Sequence, residues 1–204
     1  MKTTMFVAAV ALAGSTAFAS PLTAGGSAAF PGYVVAPVLG SPIATLNTPF
    51  VYSGIGTPFS GILTSEVYNE AGFLTFVYHV TNTSTTTEAF GAFTVNGFGG
   101  WLIDAGISPI GPGPFPFDIE RSLSDGEVTS LFADTGNPIH GRVMPGMTSG
   151  PTILRTNATD FGHSIGAVIN GSVAGNIDIL APIPTPGAGA LLGLGTLAAF
   201  RRRR

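Results

Sequence analysis

Cysteine is missing from all 204 residues, lysine occurs only at Lys2, and charged side chains of either sign make up 9% of the chain, against about 25% in ordinary soluble domains. Without cysteine there is no thiol chemistry, no Cys-type zinc site and no disulfide framework. An exported chain of this kind must draw its stability from sheet packing instead. Basic charge is the scarcest. Between Ser20 and Pro184 only Arg121, Arg142 and Arg155 stand against all eleven acids, a balance that repels phosphate backbones and excludes a nucleic-acid partner. Long runs free of helix breakers are scarce too, because the chain carries 29 glycines and 16 prolines. In the interior only residues 73–90 run beyond about ten residues without either breaker, roughly the least a helix needs.

What the chain does have is concentrated first at its ends. "MKTTMFVAAVALAGSTAFAS" has Lys2 as a positive n-region and Met5 to Ala13 as an apolar h-region. Ala17 and Ala19 are the small residues that signal peptidase requires, so cleavage is expected before Ser20. At the other end "PIPTPGAGALLGLGTLAAFRRRR" holds an uncharged run of fourteen residues, Gly187–Phe200. As a helix it would be about 21 Å long, short against a hydrocarbon core of about 30 Å. The basic cluster Arg201, Arg202, Arg203 and Arg204 would stay on the cytoplasmic side. A short, Gly-weakened span suits a segment held briefly in the membrane and then cut.

This order of Pro motif (Pro184, Thr185, Pro186), apolar "LLGLGTLAAF" and terminal Arg cluster resembles the PEP-CTERM sorting signal of bacterial exported proteins, with Thr185 where the family name has Glu. The resemblance implies processing near the Pro motif by an exosortase-type enzyme, after transient membrane insertion. It also implies a destination in the cell envelope or the exopolysaccharide matrix.

Between the ends the signals are those of an all-β chain. "FLTFVYHV" puts Leu74, Phe76, Tyr78 and Val80 on one face and Phe73, Thr75, Val77 and His79 on the other, the alternation of a strand. Further strand candidates are "GILTSEVY" (61–68), "FGAFTVN" (90–96), "GEVTSLFA" (126–133), "PTILRTNA" (151–158), "GAVING" (166–171) and "GNIDIL" (175–180). Their spacing predicts an antiparallel β-sandwich of seven or eight strands, flanked by a cleaved signal helix and a short C-terminal apolar helix. Four segments follow: signal peptide 1–19, Gly/Pro-rich extended region 20–56, sandwich domain 57–181 and sorting signal 182–204. In the extended region only "YVVA" and "FVY" read as strands. "SGILTSEVYNEAGFLTFVYHVTN" and "TSGPTILRTNATDF" resemble a recurrent domain found just before such sorting tails, one with no assigned molecular activity.

Candidate chemistry is sparse. "GHSIG" (162–166) has the spacing of an esterase nucleophile elbow around Ser164, with His163 beside it and Asp160 near enough to orient that histidine. An elbow, however, needs a strand before the serine, a helix after it and a later histidine. Here the flanks are "RTNATDF" and "AVINGS", and none of His79, His140 or His163 follows Ser164. A Gly-bounded turn between two strands is the expectation. "FDIERSLSDGE" gathers Asp118, Glu120, Asp125 and Glu127, with Asp118 and Glu120 on one face if extended. Oxygen ligands at that density suit a structural Ca²⁺, although no Ca²⁺-loop motif is present. "SDGE" reads equally as a hairpin turn, with Arg121 pairing one of the acids. Trp101, in "GFGGWLIDAG", is either core or a platform for a sugar ring.

The expected protein is therefore a non-enzymatic, cofactor-free envelope or matrix protein, structural or adhesive, with exopolysaccharide as its partner. The alternatives are a secreted carbohydrate-binding or carbohydrate-cleaving module and an esterase using Ser164.

Overall fold

The computed structural model describes residues 20–29, 39–53, 58–85, 87–107, 113–170 and 173–183. The signal residues Ala17 and Ala19, the expected "YVVA" strand, the Pro motif, the Arg cluster and both expected terminal helices lie outside the described residues. Within them the chain is all-β, with no helix.

Twelve strands are present among the described residues: β1 (Ser20–Pro21), β2 (Ser27–Ala29), β3 (Ala44–Tyr52), β4 (Phe59–Glu70), β5 (Phe73–Asn82), β6 (Ala92–Asn96), β7 (Ile103–Ile107), β8 (Asp118–Arg121), β9 (Glu127–Leu131), β10 (Thr152–Thr156), β11 (Phe161–Asn170) and β12 (Val173–Pro182). They form two antiparallel sheets, ordered β1-β7-β10-β5-β4-β3 and β12-β11-β6-β9-β8-β2. Each of the seven main strand candidates falls on a strand, and "FVY" is the end of β3. The expected count of seven or eight is too low. It missed four strands: β1 and β2 have two and three residues, β7 ("IDAGI") carries an acid and a glycine in its five, and β8 turns Arg121 inward beside Ile119.

The alternation read from "FLTFVYHV" is the one that packs. Leu74, Phe76, Tyr78 and Val80 are all buried, beside Leu63 and Val67 of β4 and facing a second-sheet layer that includes Phe93, Val95, Ile177 and Ile179. Aromatic rings fill the space between the sheets. Phe59 meets Phe90 edge-on at 5.4 Å, and Phe98 stands at right angles to Phe76 at 5.7 Å, geometries that the ring quadrupole favours.

Three hydrogen bonds made by polar side chains also bridge the sheets. Tyr78 Oη donates to the Leu180 carbonyl at 2.6 Å, the Leu180 N–H donates to Ser65 Oγ at 3.1 Å, and the Ser130 and Thr152 hydroxyls lie 2.8 Å apart. The first two satisfy backbone groups on the free side of β12, an edge strand. Thr48 of β3, the edge strand of the other sheet, does the same for the Asp178 carbonyl at 2.7 Å. Unpaired edge groups invite association with other chains, and here side chains of the facing sheet occupy them. Pro49 sits in β3, where an edge position tolerates the missing N–H.

Candidate functional site

The outer face of the first sheet carries an ordered row of polar side chains. Strand register places Asp104 of β7 opposite Arg155 of β10, Arg155 opposite Thr75 of β5, and Thr75 opposite Tyr68 of β4. Four residues from four strands thus form one row across the sheet. Their neighbours Ala105, Leu154, Phe76 and Val67 point the other way, into the core. Period-two alternation makes this division inevitable once the core face is set.

Beside the row, β4 and β5 join through a two-residue turn, Ala71-Gly72, with φ of 54° and 94°. Positive φ at both positions is the hairpin turn whose twist matches its strands, and Asn69 Oδ1 accepts the Gly72 N–H at 3.0 Å. The turn brings Glu70 and Phe73 to the end of the row. Together with Gly40, Ser41 and Thr156 these residues line a cleft of about 600 Å³.

Arg155 clamps Glu70 through two hydrogen bonds, Nε to Oε2 and Nη2 to Oε1, both 2.8 Å, the fork geometry that makes such pairs strong and directional. Thr75 Oγ1 donates to the same carboxylate. Burial alone would raise the Glu70 pKa, but these hydrogen bonds and the Arg155 charge outweigh it and hold the carboxyl below its ordinary range. Tyr68 Oη donates to Glu66 at 2.8 Å. Burial, then the bond to Glu66 and its charge, push the phenol up to about 12, so it remains a donor at any physiological pH. Phe73 is 54% exposed at the rim. The cleft therefore offers an aromatic rim, a fixed phenol and a planar ion pair, all on rigid strands.

The residues singled out in the sequence lie elsewhere. "GHSIG" is not a turn: it runs through the first half of β11, Phe161–Asn170, which is one continuous strand. His163 and Ser164 accordingly point to opposite faces of the sheet. Ser164 Oγ donates to the Asn96 carbonyl at 3.0 Å, and His163 Nδ1 lies 2.8 Å from Asp178 Oδ2 on the exposed side. Asp160 does not orient His163; its Oδ1 accepts the Phe161 N–H at 2.9 Å. The flanking glycines have packing reasons. A Cβ on Gly166 would stand 2.9 Å from the Thr94 carbonyl oxygen, and one on Gly162 would stand 3.2 Å from Ile183.

Asp118 and Glu120 do share a face of β8, flanking the inward Ile119. Arg121 pairs with Asp125 at 2.7 Å, and "SDGE" is the β8–β9 turn, with Asp125 at φ 67°. Among the described residues no three His, Asp or Glu side chains gather at metal-ligating distance. His79 lies on the outer face of β5, partly covered; burial lowers its pKa and the Glu66 charge partly restores it. His140 Nδ1 is 3.1 Å from Thr135 Oγ1. Trp101 is half-buried, with its carbonyl accepting from Arg121 at 2.8 Å.

The cleft was not foreseen from the sequence. Its residues are scattered from Gly40 to Thr156, and the one readable signal is the alternation of "FLTFVYHV", which puts Phe73 and Thr75 on one face. Comparison with protein-family models, with curated proteins and with solved structures finds no match for this chain.

Proposed function

We propose that this chain is an exported bacterial envelope or matrix protein, processed through its PEP-CTERM-like tail, that acts structurally by adhering to exopolysaccharide. The observation that carries the adhesive part is the cleft between Tyr68, Phe73 and the Glu70–Arg155 pair. Saccharides are bound by aromatic faces that stack on the ring and by planar polar groups that bond vicinal hydroxyls, and both types line this cleft on strands that need no rearrangement. The state of Glu70 argues against a proton-donating role for it in this cleft. A glycosidase acid must keep its proton near neutral pH, whereas Glu70 is held ionised by Arg155 and Thr75. The export and sorting part rests on the two terminal segments of the sequence.

The test uses protein recovered from its native host. Its intact mass should begin at Ser20 and end near Pro184–Pro186. Its binding to the host exopolysaccharide, followed by calorimetry, should weaken at least about tenfold in Tyr68→Ala and Phe73→Ala, the loss of one stacking contact at roughly 1.4 kcal/mol per decade. Equal binding by wild type and both variants would remove the adhesive reading. Release of new reducing ends would replace it with a carbohydrate-cleaving one, and ester hydrolysis lost in Ser164→Ala would replace it with the esterase.

A further inference from the structure

The C-terminal end of β12 leaves the sandwich beside a cluster of loops that expose apolar side chains. The Ile183 N–H donates to the Asp160 carbonyl at 3.3 Å, and a Cβ on Gly97 would lie 3.0 Å from the Ala181 Cβ. The β6–β7 loop (97–102) and the β8–β9 loop (122–126) are fastened together at this end. The Gly97 and Phe98 N–H groups both donate to the Gly126 carbonyl, at 3.1 and 3.2 Å, and Gly100 N donates to Asp125 Oδ2 at 2.7 Å. Leu102 N in turn donates to Asn157 Oδ1 at 2.9 Å, which ties the pair to the β10–β11 loop next to Ile183. On this platform Leu123 is 89% exposed and Leu102 73% exposed, with the half-buried Trp101 adjacent.

Arg121 makes the platform rigid. Its guanidinium bonds the carbonyls of Leu22, Phe98, Trp101 and Asp125 as well as the Asp125 carboxylate. Side chains left apolar and outward on loops held this firmly are not displaced core residues. Only Pro184, Thr185 and Pro186 separate Ile183 from the uncharged run that begins at Gly187. Four residue steps span at most about 14 Å when fully extended. Whatever surface that run enters must therefore lie within about 14 Å of this end of the sandwich.

We propose that the tail-proximal end of the sandwich, with Trp101, Leu102 and Leu123 at its surface, rests on the zwitterionic lipid surface that the C-terminal apolar run enters. The proposal depends on reading Gly187–Phe200 as membrane-inserted. Large apolar side chains and a tryptophan are the groups that settle at the headgroup level. The two arginines at this end, Arg121 and Arg155, are each engaged by a carboxylate, so neither offers a free cation that would select an anionic headgroup. Before the tail is cut, this contact would set which end of the domain faces the membrane.

Trp101 is the only tryptophan in the chain, so its fluorescence reports this surface alone. The chain from Ser20 to Arg204, freed of its signal segment, is mixed with phosphatidylcholine vesicles carrying plain or brominated acyl chains, and flotation and emission are measured together. The expected result is flotation, a blue shift of Trp101, and quenching by brominated lipid that a Leu102→Ser/Leu123→Ser variant loses while still floating. Both leucines are exposed, and an unchanged melting curve will show the variant folded. Flotation without quenching would overturn the proposal and leave the tail reading intact. No flotation would overturn the tail reading, and this proposal with it. A blue shift without quenching would mean that protein, either a second copy or the tail itself, covers the leucines, and would also overturn it.

Discussion

The phenol of Tyr78 in β5 donates a 2.6 Å hydrogen bond to the backbone carbonyl of Leu180 in β12, 102 residues later and in the opposite sheet. Tyr78 is completely buried, so this bond and its partner from Leu180 N to Ser65 Oγ close the edge of the sandwich from within. In Tyr78→Phe the carbonyl loses its donor in a dry site, which costs about 1–3 kcal/mol. Burial also raises the Tyr78 pKa well above its ordinary value. The fold therefore keeps a proton that the unfolded chain releases above about pH 10. Its contribution is complete below that pH and is lost as pH rises. Urea denaturation at pH 7 and pH 11 should show the wild type losing more stability between the two than Tyr78→Phe.

Arg121 is the buried cation of the structure's loop end, 5% exposed and bonded to four carbonyls and one carboxylate. Arg121→Ala strands all of these acceptors, and breaking a buried, hydrogen-bonded pair costs about 3–5 kcal/mol. Arg121→Lys keeps the charge but lacks the planar fork, so it should recover only a minor part of the loss. Chemical denaturation of the three proteins will order them wild type, Lys, Ala. A lysine variant as stable as the wild type would show that charge, not geometry, holds the loops.

Two pH windows should be separable. The Glu70 pKa is depressed in the fold, so its contribution is present above the unfolded value of about 4.3 and disappears as pH falls through the folded one. The His79 pKa is also depressed, by burial, because the fold prefers the neutral ring. Its contribution is present above about pH 6.5 and is lost as pH falls below that. Denaturation midpoints from pH 8 to pH 3 should show a shallow decline first, absent in His79→Gln, and a second below about pH 4.3 that is reduced in Glu70→Gln.

Ala71 occupies the left-handed region with φ 54°, which costs a residue with a Cβ about 1–2 kcal/mol. Ala71→Gly removes that cost and pays part of it back in unfolded-state entropy. A net gain of roughly 0.5–1 kcal/mol is expected, read as a higher melting temperature. Asn, which tolerates this region, should give a smaller gain. A loss of stability in both variants would contradict the turn geometry.

The strand character of this chain could be read directly from its residues. Alternation in "FLTFVYHV" divided β5 into its two faces, and the recurrent glycines and prolines left few interior windows for a helix. Both are local properties, set by which neighbours share a face and which φ values are allowed. Tertiary structure decided the rest. Arg121 hides β8 from any hydrophobic pattern because it points inward, and only the carbonyls and the Asp125 carboxylate of the surrounding loops make that position tolerable. "GHSIG" reads as a Gly-bounded turn, but it lies inside the continuous strand β11, with Gly166 against the Thr94 carbonyl of a neighbouring strand. Likewise the row Asp104, Arg155, Thr75 and Tyr68 exists only through strand register. Register is a relation between segments far apart in the chain, and no single segment carries it.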